Sequence, residues 1–134
     1  MLCTTKHREH TDIVILTIIP HLFSLYFSCT DILYSITIFS ATFSSYIWHL
    51  NREKPCIFMY IDYFFAGLLS IYEVYNTYNT EWFNYCILLN MSVLGLNKTV
   101  YFLSKYKYIR YNIFHSIFHL YSAFKTCLIS YLSF

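Results

Sequence analysis

The fold turns on one stretch, ILYSITIFSATFSSYIWHL (32–50), then NREKP (51–55), then CIFMYIDYFFAGLLSIYEVY (56–75). Two apolar runs of about twenty residues flank a turn holding Arg52, Glu53, Lys54 and Pro55. A helix of roughly that length crosses the hydrocarbon core of a bilayer. Asp31 suits the N-cap of the first run, and Pro55 lies just before the second, as a helix start permits. The pair reads as two membrane-crossing helices joined by a tight polar turn.

Outward from this hairpin, three further apolar runs cover residues 13–29, 82–103 and 109–132. The spacing predicts five crossings in a single all-α transmembrane bundle over residues 1–134, with residues 1–12 as a short polar N-terminus. Pro20 should kink the first helix, and the Tyr-Asn-Thr-Tyr-Asn-Thr run at 75–80 reads as a polar connector. Composition agrees: of 134 residues 57% are hydrophobic and only 12% charged, about half the charge of an ordinary soluble domain. The mean hydropathy is +0.46. Cys3, Cys29, Cys56, Cys86 and Cys127 are scattered and odd in number, with no C-x-x-C pair, so neither a disulfide framework nor a thiolate zinc knuckle follows. With a net charge of +2, no Gly-rich phosphate loop and no basic-aromatic patch, nucleic acid is not an expected partner.

Charge distribution orients the five-crossing threading. Lys6, Arg8, Arg52, Lys54, Lys105, Lys107 and Arg110 fall on one side, and Lys98 can snorkel to it, leaving only Lys125 elsewhere. Basic residues concentrate on the cytoplasmic side, so the N-terminus is expected there. Lys6 and Arg8 before an apolar run could also be read as a signal peptide; its removal would leave four crossings and every candidate site residue.

Within these runs Ser45 and His49 are four residues apart, as are His115 and His119, so each pair projects from one helix face a turn apart. With Asp62 early in the third helix, all five stand within roughly 15 Å of the cytoplasmic helix ends. Thr42, Ser122 and Thr126 extend the polar faces, and Ala66 and Gly67 beside Asp62 are expected to face inward with it. Three imidazoles could hold zinc with a fourth position open to water. Taken singly, a histidine in a membrane helix is usually a hydrogen-bonded packing residue, and His7, His10 and His21 are read that way. Asp62 is the stronger signal, because a carboxylate in an apolar run is costly unless paired or liganded. Glu73 and Glu81, near a helix end and a loop, are expected to be solvated; Lys125 should pair with a carboxylate or snorkel. Histidines at i, i+4 also occur in bis-histidine haem bundles, so the spacing alone does not name the metal.

The stretches Ser44-Ser-Tyr-Ile-Trp-His49-Leu, Met59-Tyr-Ile-Asp62-Tyr-Phe-Phe-Ala-Gly67 and Phe114-His-Ser-Ile-Phe-His119-Leu resemble, in order, spacing and helix placement, the membrane hydrolase superfamily of alkaline ceramidases, progestin/adipoQ receptors and haemolysin III-type proteins. The resemblance implies zinc on His49, His115 and His119, with Asp62 helping to deprotonate the zinc-bound water and Ser45 stabilising a nearby oxygen. It implies lipid amides such as ceramides as substrates, entering from the bilayer. That family usually has seven helices, and between Asp62 and His115 only one further crossing fits. Losing two crossings preserves parity and leaves the last helix parallel to the third. The alternative is a non-catalytic multi-pass protein whose polar residues join helices or subunits, since intramembrane polar contacts contribute about 0.6–2 kcal/mol each.

The threading makes a direct prediction. Impermeant thiol reagents should reach Cys3 and Cys56 from the basic side and Cys29 from the other; labelling of Cys29 and Cys56 from one side would overturn the topology.

Overall fold

The computed structural model describes residues 12–51, 57–106 and 110–133, and over these the regular structure is helical. The first segment, α1, is broken into α-helical Asp12–Ile18, 3-10 helical Ile19–Phe23 and α-helical Ser24–Phe27. It is followed by α2 (Ile32–Leu50), α3 (Ile57–Thr77), α4 (Phe83–Lys105) and α5 (Tyr111–Ser133). Cys3, Lys6, His7, Arg8, His10, Arg52, Lys54, Pro55, Cys56 and Lys107 lie outside the described residues.

The breaks have local causes. Pro20 has no amide hydrogen and cannot continue the α-helical ladder; the chain tightens into a 3-10 stretch instead of merely kinking. His21 Nδ1 lies 3.1 Å from Ile18 O and Ser24 Oγ donates to His21 O at 2.5 Å, side-chain contacts to backbone carbonyls that reinforce the 3-10 stretch. At the start of α2, extended Asp31 accepts from Tyr34 N at 2.9 Å, the expected N-cap.

Side-chain pairings fix helix directions. Asn90 meets Lys125 and Ser92 meets Tyr121, so α4 and α5 run antiparallel: residue numbers rise on one as they fall on the other. His49 meets His119 and Tyr34 meets Ser130, which makes α2 antiparallel to α5 as well. With α3 reversing after α2, the third and last long helices run parallel.

The apolar core is an α2–α3 seam of Tyr34, Ile38, Ala41 and Leu69, backed by Leu25, Phe65 and Tyr72. Ala66 and Gly67 do not share it. Both are exposed, and a Cβ on Gly67 would meet nothing within 4 Å. The helix is turned so that bulky Phe65, Leu69 and Tyr72 bury their larger area. No Cα of α2 comes within 8 Å of a Cα of α5. α1 packs against both, and polar side chains bridge the gap, the Tyr34 hydroxyl reaching Ser130 Oγ at 3.2 Å and His49 reaching His119.

Burial is inverted relative to a water-soluble domain. Among the described residues, 18 polar or charged residues are buried against 11 hydrophobic ones, while large side chains such as Phe23, Ile32, Phe64, Leu88 and Phe124 are exposed. Among the described residues two helices, α3 and α4, are long and apolar enough to cross a membrane; each has a most apolar window of mean hydropathy 1.4, of which only 11% and 17% is buried.

Glu73, expected in solvent, is fully buried (0% exposed), as is Lys125 (2%). Lys125 Nζ donates to Glu73 Oε2 at 2.5 Å and to Asn90 Oδ1 at 3.2 Å; Thr126 Oγ1 donates to Glu73 Oε1 at 3.0 Å. One network therefore ties α3, α4 and α5, and of the two options open for Lys125 in the sequence, pairing holds. Removing one partner of such a pair costs about 3–5 kcal/mol because a buried charge is left alone.

The Asp31 cap yields a measurable expectation. Asp31→Ala should lower unfolding stability in detergent by about 1 kcal/mol and Asp31→Ser far less; equal losses would show that the side chain does not cap α2.

Candidate metal centre

Helical periodicity builds the site. On α2 the buried positions Tyr34, Ile38, Ala41, Ser45, Trp48 and His49 form one face, and its last turn delivers His49 to the end of the helix. On α5, His115 and His119 stand one turn apart on the face that continues through Thr126 and Ser130. All three histidines are buried, His49 completely.

The imidazoles converge on one point. His119 Nε2 lies 3.1 Å from His49 Nε2 and 3.2 Å from His115 Nε2, and one ligand nitrogen from each residue falls within 4.8 Å of the others. A ring nitrogen carries either one hydrogen or one lone pair. His119 Nε2 can therefore not satisfy both neighbours by ordinary hydrogen bonding, whereas a cation between the rings satisfies all three nitrogens. The buried group could hold a metal ion.

Aromatic rings fix the imidazole planes. Tyr111 stacks on His115 with centroids 4.7 Å apart and planes 18° apart, Phe118 stacks at 5.5 Å and 23°, and Trp48 lies 5.1 Å from His49. Such walls limit ring rotation and hold the nitrogens inward.

Asp62 and Ser45 are also brought together. The Ser45 hydroxyl stands next to the Asp62 carboxyl, both side chains are buried, and Ser45 stands one turn, about 6 Å along the axis, from His49. Asp62 is not in the three-nitrogen group; it neighbours that group through Ser45. All five residues singled out in the sequence are thus buried on converging helices, as a triad and an adjoining pair.

His21 is a packing residue, as read from the sequence, with its Nε2 3.3 Å from Ser122 Oγ. The Glu73–Lys125–Asn90–Thr126 network escaped sequence reasoning. The signal was available: Glu73 follows Asp62 by eleven residues, three helical turns, so both must lie on one face of α3. The chain matches no family model, and comparison with curated proteins and with solved structures yields no match either.

Elemental analysis of purified protein should find one metal ion per chain. Substitution of His49, His115 or His119 by alanine should lower that stoichiometry at least tenfold, while His21→Gln should leave it unchanged. Full occupancy in His49→Ala would overturn the three-histidine arrangement.

Proposed function

We propose that this chain is a five-helix, multi-pass membrane protein, with its N-terminus cytoplasmic, carrying a zinc-dependent hydrolase site for lipid amides of the ceramide kind. The membrane reading is supported by the inverted burial: an apolar exterior around a polar interior is stable in lipid and aggregation-prone in water. Two helices of spanning length add to it, and Lys105 and Arg110, at adjoining helix ends, fit a cytoplasmic face there.

The observation that carries the chemistry is the convergence of three imidazole nitrogens beside the Asp62–Ser45 pair. Nitrogens about 2.0–2.1 Å from a tetrahedral zinc ion lie about 3.3–3.4 Å from one another, close to the 3.1 and 3.2 Å separations seen. Three neutral nitrogen ligands with a fourth position open suit catalytic rather than structural zinc. Bound there, zinc supplies Lewis acidity, polarising a carbonyl and making water acidic enough to ionise near neutrality.

The protein's own residues do the rest. Asp62, acting as general base, accepts a proton from the attacking water and passes it to the amide nitrogen as the C–N bond breaks, so acid and amine leave together. Ser45, next to that carboxylate, can turn its hydroxyl toward the developing oxyanion. The stacked Tyr111 and Phe118 hold His115, and burial keeps bulk water from the imidazoles. A second reading, a non-catalytic bundle joined by polar contacts, is favoured by the satisfied Glu73–Lys125 network.

Hydrolysis separates the two. Purified protein should release fatty acid from a ceramide-like amide, chelation should abolish the release and zinc should restore it. Asp62→Ala should retain metal and lose at least a hundredfold in rate. Activity should fall as pH drops, since imidazole binds metal only when neutral and Asp62 accepts a proton only when ionised. Bound zinc without turnover on lipid amides or esters would leave the non-catalytic reading.

A further inference from the structure

The metal centre spans two helices whose backbones do not touch. No Cα of α2 lies within 8 Å of one of α5, yet His49 of α2 must meet His115 and His119 of α5. Apart from the Tyr34–Ser130 hydrogen bond, their relative placement is transmitted through other elements, α1 on one side and α3 on the other. α2 is locked to α3 along the seam of Ile38, Ala41 and Leu69. The polar join from α3 to α5 is Glu73, held at one oxygen by Lys125 and at the other by Thr126, with Asn90 of α4 on the same ammonium.

We propose that Glu73 and Lys125 are positioning residues of the metal centre: their ion pair fixes the height and rotation of α5 relative to α2, and thereby sets how tightly His49, His115 and His119 bind metal. The inference rests on the metal reading above and adds a control point to it. Lys125 lies six residues beyond His119, about 9 Å along the same helix, so it touches no ligand and acts only through the helix that carries two of them. An apolar helix face can slide by fractions of a turn at small cost. A buried charge pair cannot, because any slip leaves two charges unpaired in an apolar bundle. Metal coordination reads such slips sharply, since ligand distances must hold within about 0.2 Å. The polar contact of α1 with α5, His21 to Ser122 at 3.3 Å, is to an uncharged hydroxyl and constrains a slip less than an ion pair does.

The test compares metal affinity with stability in the full chain, purified in detergent and titrated with zinc, and with cobalt for its visible spectrum. Lys125→Met should weaken zinc binding about tenfold or more among molecules that remain helical and monodisperse, and should alter the cobalt band of a three-nitrogen site. Lys125→Arg should keep affinity within about threefold of wild type, and exchanging the charges, Glu73→Lys with Lys125→Glu, should recover part of the loss of Lys125→Met. A residue that only stabilises the bundle would lower the unfolding midpoint and leave affinity and spectrum of the folded fraction unchanged. That result for Lys125→Met overturns the proposal. Should Lys125→Met not fold, Thr126→Val keeps both charges while freeing one Glu73 oxygen; it should weaken zinc binding several-fold, and wild-type affinity there overturns the proposal equally. Wild-type protein that takes up no zinc would instead overturn the metal reading itself.

Discussion

A buried lysine needs a counter-charge, and Lys125 has one within reach. With Glu73 fully buried on α3 and Asn90 completing the contacts of the ammonium, the interior can close only where α3, α4 and α5 stand in one mutual arrangement. Everything polar in the centre follows from that placement. The α5 face then presents His119 to His49 at one level, Ser122 to His21 a turn further, and Ser130 to Tyr34 near the other end.

Packing alone would not have given this order. α2 and α3 share an apolar seam, whereas α2 and α5 stand further apart and are bridged by imidazoles and a tyrosine hydroxyl. Polar side chains at those points specify partners because each has a fixed number of donors and acceptors to satisfy. This makes the inside of the bundle specific while its outside, rich in Phe, Ile and Leu, is chemically uniform. On the membrane reading proposed above, lipid solvates that outside and leaves the polar core to decide which helix faces which.

The two polar clusters divide the labour. The histidine triad and the Asp62–Ser45 pair sit where α2 ends and α3 and α5 begin, with aromatic walls from Trp48, Tyr111 and Phe118. Glu73 and Lys125 lie deeper, with every oxygen of the carboxylate engaged. A fully partnered pair is poor chemistry and good geometry; three nitrogens crowded about one point are the reverse. In the first cluster His119 Nε2 faces two other ring nitrogens at once, an arrangement that a metal ion between them would satisfy.

The sequence by itself determined the helices, because hydrophobic run length, Asp31 as a cap and Pro20 as a breaker are local effects acting within a few residues. It also marked Ser45, His49, Asp62, His115 and His119, since i, i+4 spacing on a helix is a local property and a charge in an apolar run is conspicuous. It misplaced Ala66 and Gly67, because which side of α3 turns inward depends on the area that Phe65, Leu69 and Tyr72 bury against another helix. It also misjudged Glu73, whose nearness to a helix end suggested water while its partner lay 52 residues away on α5. Tertiary structure decided those matters and the meeting of the three imidazoles at one point, because rotation and height of one helix against another are set by long-range pairings that no local window of residues contains.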